Sequence, residues 1–157
     1  MSVEILKRSP LFKDFTPVGL EILAHIAKPR VLLAGKPLFL EGTPSESFFI
    51  VAEGRFQVFA KGAEGNNVPV ASLGAGEHVG EMALIAYGRN PMHLCSVVAE
   101  ADSKVLEFTS ADFQALTKDK PQACIKLLFA LASELGRKSA DAREPLRLLL
   151  ARAFSRQ

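Results

Sequence analysis

Tryptophan is absent from this sequence, and cysteine and tyrosine are scarce: the 157 residues include two cysteines, one tyrosine and no tryptophan. Cys95 and Cys124 lie in apolar stretches without the CxxC spacing of metal and redox sites. We expect both to be small buried side chains in a protein of a reducing, cytoplasmic compartment.

Long apolar runs and a strong net charge are also missing. No run of about 18 apolar residues is present and the N-terminus has no signal-peptide core, so the sequence predicts neither a membrane span nor secretion. Nineteen basic against 17 acidic residues leave a net charge of +2, too small a surplus to indicate nucleic-acid binding. With 48% hydrophobic and 23% charged residues, the composition is that of one globular domain.

Signatures of catalysis and metal binding are absent as well. The three histidines, His25, His78 and His93, contain no His-x-His pair of the kind that β-roll metal sites use. The sequence has no Gly-x-Ser-x-Gly elbow, no Gly-Lys-Ser/Thr phosphate loop and no cysteine flanked by a suitable base. We expect a protein that is not an enzyme and requires neither a metal nor a cofactor.

Two helical regions flank a region of short strands. Thr16-Pro17 before spaced apolar residues predicts a capped helix near the N-terminus. Between residues 31 and 108, stretches rich in Val, Ile, Leu and Phe alternate with Gly and Pro turns, as in a sandwich or barrel. Residues 47–59 predict a hairpin or a bulged strand, and the phenylalanines on the strands are expected in the core.

After residue 108 the helical period returns. Ser110 is a candidate cap for a first helix, a longer helix begins at Pro121, and Pro145 is expected to end or kink that helix ahead of a last short one. Apolar residues at helical spacing form a stripe that offers a surface for a partner or a second copy. These residues are Leu127, Leu128, Leu131 and Leu135, continued by Leu146, Leu149 and Leu150.

The most informative stretch is residues 73–84, LGAGEHVGEMAL, which carries three glycines before an apolar run. Glycines let backbone N–H groups converge on an anion, and a helix N-terminus adds partial positive charge, so the stretch predicts a cradle for phosphate. Glu81 beside it is suited to accept hydrogen bonds from a sugar hydroxyl. Phosphate next to ribose indicates a nucleotide.

Three runs resemble the cyclic-nucleotide-binding domain family: AGKPLFLEGTPSESFFIVAEGRFQVF, LGAGEHVGEMALIAYGRNP and SVVAEADSKVLEF. The family occurs in bacterial transcription regulators, kinase regulatory subunits and cyclic-nucleotide-gated channels. The resemblance covers about residues 5–135 and implies a mostly β fold, a jelly-roll-like eight-stranded β-roll flanked by helices. We therefore expect a single domain over residues 1–157, with N-terminal helices in 1–30, the β-roll in 31–108 and C-terminal helices in 109–157.

In that family the ligand sits in a phosphate-binding cassette with the signature Gly-Glu-x-Ala-Leu, a variable loop, and then Arg, Ser or Thr, and Ala. The resemblance places the first half on Gly80, Glu81, Met82, Ala83 and Leu84. It implies that Glu81 binds the ribose 2′-hydroxyl. Gly80 and the backbone amides of Ala83 and Leu84 are expected to line the ribose-phosphate end.

The second half departs from the signature. Counted forward from the first half, the arginine position falls near Arg89. Counted backward from the following strand it falls on His93, four residues later, with Leu94 and Cys95 in place of Ser or Thr and Ala. Arginine is charged at every relevant pH, whereas a histidine with the ordinary pKa of about 6.5 is mostly neutral at pH 7. Arg89 is thus the expected counter-ion, provided that residues 90–92 bulge outward.

Two functions stay open on the sequence. The first is a sensor that binds a cyclic nucleotide and signals through its C-terminal helices; cAMP is favoured over cGMP because Leu94 lacks the hydroxyl that family members offer to guanine. The second is a degenerate fold that binds no nucleotide and acts as a protein-interaction or dimerisation module. About 20 residues follow Arg137, too few for the DNA-binding domain of about 70 residues found in the family's transcription factors, so DNA is not an expected partner.

Overall fold

The structure is a computed structural model, and it describes the backbone of residues 1–86 and 88–154. Two helices, α1 and α2, precede the strands, and a 3-10 turn at Pro10–Phe12 joins them. The helices are α1 Ser2–Arg8, α2 Pro17–Ile26, α3 Met82–Ile85, α4 Ser110–Asp119 and α5 Pro121–Phe154. The strands are β1 Lys28–Leu32, β2 Pro37–Phe39, β3 Ser47–Glu53, β4 Phe56–Lys61, β5 Asn67–Leu73, β6 His78–Val79, β7 Ser96–Ala99 and β8 Ser103–Thr109.

The strands pair into two four-stranded antiparallel sheets. The order in one sheet is β1-β8-β3-β6, and in the other it is β2-β7-β4-β5. Helices α1 and α2 come before the roll along the chain, and α4 and α5 come after it. The described part of the chain thus confirms the predicted eight-stranded β-roll with flanking helices.

Strand β3 is covered on both faces, because six of its seven residues are buried. Phe48 and Ile50 pack into a cluster shared with the helices, whereas Phe49 and Val51 pack into a second cluster formed by the strands. Alternate side chains of a strand point to opposite faces, so β3 separates the two clusters. One cluster lies inside the roll and the other attaches the helices to it.

The sequence predicts a hairpin or a bulged strand over residues 47–59. The hairpin is wrong, since β3 and β4 lie in different sheets, whereas β3 does have a bulge-type shift of register between Val51 and Glu53. The chain crosses from one sheet to the other at Gly54, whose φ is +91°. A Cβ at Gly54 would lie 2.1 Å from Oγ of Ser103, so this crossing requires glycine. Two neighbouring apolar stretches indicate strands but do not reveal which strands they pair with.

The predictions for the core are largely confirmed. Phe48, Phe56 and Phe108 are fully buried, and Cys124 is buried in the helical cluster. Cys95 is only half-buried, because it lies in the loop that precedes β7. The expectation of two buried thiols therefore holds for Cys124 alone.

The helix starts are capped by threonines. The Thr16 side chain accepts a hydrogen bond from the Gly19 amide at 3.1 Å, which confirms the predicted start of α2. The cap of α4 is Thr109, whose hydroxyl accepts from the Asp112 amide at 3.1 Å, so the prediction of Ser110 is wrong by one residue. Ser110 is already helical, and its own amide donates to the Glu46 carbonyl.

Helix α5 corrects two predictions. Leu127 and Leu131 are fully buried in the domain's own helical cluster, so they offer no surface to a partner. The helix continues through Pro145 to Phe154, so of the predicted end or kink at Pro145 the end is wrong, and the kink stays a prediction. A proline inside a helix removes only one backbone N–H donor. Salt bridges between side chains three or four residues apart stabilise the exposed turns around Pro145. These are Arg137–Glu134, Arg137–Asp141 and Arg147–Glu144. The side chains of Leu146, Leu149 and Leu150 lie outside the described residues.

Candidate ligand-binding site

A tight turn at Gly80 joins β6 to the short helix α3. Gly80 has a φ of +82°, and a Cβ there would lie 2.5 Å from the backbone oxygen of Ser47 on β3. Only glycine fits such a close approach of two backbones at a left-handed φ. The contact holds the start of α3, and with it Glu81, against the sheet.

The remaining residues of the predicted first half form α3. Ala83 and Leu84 are buried, whereas the Met82 side chain is 40% exposed. The Ala83 amide donates to the Gly80 carbonyl at 3.1 Å, and the Leu84 amide donates to the Glu81 carbonyl at 3.0 Å. Both amides are therefore engaged inside the turn, and their predicted contact with a ligand stays a prediction.

Glu81 is half-buried, and its charge acts on Cys95 and His78. Burial raises the pKa of the Cys95 thiol, and the nearby carboxylates of Glu81 and Glu41 raise it further. Burial also lowers the pKa of His78, an effect that the neighbouring Glu81 partly offsets. The negative charges of Glu81 and Glu41 thus both act on Cys95. Sequence analysis missed Glu41 because no motif contains it.

The loop after α3 is pinned to the segment that follows β2. The Ser45 amide donates to the Pro91 carbonyl at 2.7 Å, and the His93 amide donates to the Thr43 carbonyl at 2.8 Å. The Gly42 amide in turn donates to the His93 carbonyl at 2.8 Å. Residues 91–93 therefore do not bulge outward, contrary to the arrangement expected for an inward-facing Arg89.

His93 and Leu94 occupy opposite environments. The imidazole of His93 stacks on the Phe39 ring with centroids 3.6 Å apart, and the residue is 8% exposed. Burial lowers the pKa of His93, so its side chain is neutral at pH 7 and supplies no positive charge to a phosphate. Leu94 is 85% exposed. The stack joins residues 54 positions apart in sequence, and no local pattern indicates it.

Arg89 lies in an exposed turn before residues 91–93. Its amide donates to the Ala86 carbonyl at 3.1 Å, directly after Gly88 with a φ of +76°. The salt bridges found among residues 1–86 and 88–154 do not include Arg89. Arg89 is thus an exposed residue outside the described salt bridges, and its role as counter-ion stays a prediction.

A Gly-Glu turn on an eight-stranded roll, continued by a short helix, defines a family, and comparison with known proteins identifies it. The model of the cyclic nucleotide-binding domain family matches residues 29–120. The chain therefore belongs to the cyclic-nucleotide-binding domain family, whose members are regulatory ligand-binding modules.

Individual relatives come from bacteria and fungi. The cyclic AMP receptor protein of Thermus thermophilus is 31% identical over 130 residues, which cover 83% of this chain and 59% of the relative. A cAMP-dependent protein kinase regulatory subunit of Neurospora crassa is 29% identical over 116 residues, 74% of this chain and 29% of the relative. This chain therefore spans well under two thirds of the length of these relatives.

Solved structures agree with the fold. The Thermus thermophilus catabolite activator protein superposes with a TM-score of 0.78 at 30% identity, covering 90% of this chain and 63% of that one. The N-terminal domain of a Streptomyces coelicolor transcriptional regulator gives 0.74 at 28% identity, covering 88% and 96%. No helix in the described part of the chain is long and apolar enough to cross a membrane.

Proposed function

We propose that this chain is a cytoplasmic, non-catalytic sensor that binds a cyclic nucleotide beside the Gly80–Glu81 turn, with cAMP favoured over cGMP. One observation carries the proposal: Gly80 stands where only glycine fits, and it holds a half-buried carboxylate, Glu81, against the roll. A carboxylate in that place accepts hydrogen bonds from the ribose 2′-hydroxyl. The cyclic AMP receptor protein among the relatives supports the choice of ligand.

Arg89 is the counter-ion in this proposal, because the other candidate, His93, is neutral and stacked on Phe39. Arg89 is exposed and lies outside the salt bridges of the described residues, so pairing with a phosphate would break no ion pair. A charge-assisted hydrogen bond of this kind contributes about 1.5 to 3 kcal/mol, which corresponds to roughly a ten- to hundredfold change in affinity. The exposed Leu94 offers no hydroxyl to guanine, which favours adenine.

Isothermal titration calorimetry with cAMP, cGMP and 5′-AMP tests the proposal on the purified chain. We expect saturable binding of the cyclic nucleotides, cAMP tighter than cGMP, and much weaker binding of 5′-AMP. Glu81→Gln and Arg89→Gln should each weaken cAMP binding at least tenfold. The exposed residues Glu64 and Arg55 provide matched controls, since Glu64→Gln and Arg55→Gln change the same charges away from the site.

Two results would contradict the proposal. Unchanged cAMP affinity in both Glu81→Gln and Arg89→Gln would show that the site lies elsewhere. No binding of either cyclic nucleotide up to millimolar concentration would identify the domain as a degenerate member of its family.

A second copy of the chain is the partner that α5 favours. Ile125 and Phe129 lie one turn apart on the same side of α5, and they are 51% and 69% exposed. From Gly136 onward, every described side chain of α5 is exposed. Helices in proteins owe most of their stability to packing against other elements. The exposed apolar side chains and the exposed C-terminal half of α5 therefore support pairing of α5 with α5 of another copy.

Light scattering tests the pairing. We expect a dimer that dissociates in the Phe129→Glu variant, because the substitution places a charge in the paired face. Val31 on β1 is 66% exposed and supplies the control, since Val31→Glu adds the same charge on a strand. A wild-type chain that is monomeric at all concentrations contradicts this proposal without affecting the one on nucleotide binding.

A further inference from the structure

His78 of β6 faces the point at which α5 leaves the domain. A cavity of about 160 Å³ lies between the two elements, and both His78 and Glu134 line it. Glu134 and Leu135 are half-buried, whereas every described side chain from Gly136 onward is exposed. His78 therefore adjoins the last turn of α5 that is held against the rest of the domain.

The imidazole of His78 is half-buried and packs on an aromatic ring. Its centroid lies 5.6 Å from that of Phe48, a fully buried residue of β3, with an angle of 48° between the ring planes. The uncharged part of the cavity wall consists of Pro10, Leu11, Leu73 and Gly76. Surroundings of this kind favour the neutral ring over the imidazolium, and burial is the main cause of the lowered pKa of His78.

Charged groups act on this ring from α5 and from the turns on either side of β6. Glu77 and Glu81 flank the strand, and Glu134 of α5 lines the cavity; all three favour a charged ring. Lys138 of α5 opposes a charged ring, and Arg137 lines the same cavity. The lining residues of the 3-10 turn and of β5 carry no charge. Both signs of charge are therefore present around the ring, and burial decides its preferred state.

Two of the three carboxylates already have partners. Glu134 forms a salt bridge with Arg137 at 2.9 Å. The carboxylate of Glu77 accepts a hydrogen bond from the Gly74 amide at 2.7 Å. A proton on His78 would compete with these partners for the carboxylate oxygens, so the carboxylates do not fully compensate the water that a buried cation lacks.

We propose that His78 is an acid-sensitive contact between α5 and the roll: its neutral ring lets the turn at Glu134 pack beside β6, and protonation of the ring releases α5 from that turn onward. A state in which α5 has moved away exposes the ring to water and binds the proton more tightly, so acid increases its population. The packed state has the lower pKa. Its stabilisation is therefore complete above the ordinary histidine pKa of about 6.5 and is lost as the pH falls below that value.

The release does not depend on nucleotide binding. Its tests use the chain without ligand, so its failure is distinguishable from that of the proposed sensor.

Amide hydrogen exchange resolved by residue measures the release, because a helical turn that loses its packing opens more often. Protection factors over residues 131–138 should fall about three- to tenfold between pH 7.5 and pH 5.5, given that one unit of pKa difference corresponds to a factor of ten. The fall is measured relative to the amides of β3, which report on unfolding of the whole domain. This ratio removes the effect of His93, whose protonation destabilises the fold as a whole.

Two pairs of variants test the assignment to His78. His78→Phe keeps a ring on Phe48 that cannot be charged, so the protection ratio should no longer depend on pH. His25→Phe is the matched control, because His25 is exposed on α2, and the ratio should change as it does in the wild type.

Lys138→Gln removes a positive charge that opposes protonation of His78. It should raise the pKa of His78 and move the fall in protection to higher pH. Arg143→Gln removes the same charge from an exposed position further along α5 and should leave both unchanged.

A nuclear magnetic resonance titration of the His78 ring in the wild-type chain keeps the proposal testable even if a variant fails to fold. A pKa of about 6.5 or higher would overturn the proposal, as would a constant protection ratio while His78 titrates. The wild-type pH response in a folded His78→Phe variant would also overturn it. The response should persist in Phe129→Glu, which removes the proposed pairing of α5; its loss there would assign the effect to dissociation of a dimer and overturn the contact with the roll.

Discussion

Gly80→Ala tests the idea that a close backbone contact positions the candidate site. The added Cβ would lie 2.5 Å from the backbone oxygen of Ser47, and φ is +82°. The left-handed φ alone costs a residue with a side chain about 1 to 2 kcal/mol. The clash is with backbone, which moves only by displacing β3 or α3, and overpacking of this kind adds about 1 to 3 kcal/mol. We expect a loss of about 3 kcal/mol in the free energy of unfolding.

Urea unfolding followed by circular dichroism measures this loss. In thermal unfolding, the melting temperature should fall by about 6 to 12 °C for a domain of this size. Gly35→Ala is the matched control, since Gly35 has a φ of +80° but nothing within 4 Å of the added Cβ. It isolates the conformational cost and should lose only about 1 kcal/mol. If the two variants lose the same stability, the contact with Ser47 does not constrain the turn.

Two further predictions concern His93 and Thr109. Because burial lowers the pKa of His93, the folded state binds fewer protons than the unfolded state near pH 6, so the free energy of unfolding falls as the pH drops below about 6.5. His93→Phe keeps a ring on Phe39 and should flatten this decline between pH 7 and pH 5; parallel curves would refute the assignment. Thr109→Val removes the cap of α4 and should lower stability by about 1 kcal/mol, whereas Thr117→Val, which removes a hydroxyl that donates to the Gln114 carbonyl inside the helix, should cost less. Equal losses in the two threonine variants would argue against the cap.

The sequence predicted what depends on local chemistry and missed what depends on distant partners. The cap at Thr16 and the glycine at position 80 follow from the rules for helix starts and tight turns, and the resemblance to a family supplied the eight strands. The pairing of β3 with β8 joins segments about 60 residues apart, and no local pattern reports it. The conformation of the loop around Arg89 likewise depends on bonds from residues 42–45.

The long helix α5 extends well beyond the part of the domain that holds it. From Gly136 to Phe154 the helix extends about 28 Å at 1.5 Å per residue, and its described side chains there are exposed. Among the described side chains of α5 the last fully buried one is Leu131, so the contacts of the helix with the domain lie near its N-terminal end. A tilt of about 10° about Leu131 would move the far end by roughly 6 Å, given the helix rise per residue. In the sensor proposed above, a long free segment of this kind would enlarge a small displacement at the helical cluster.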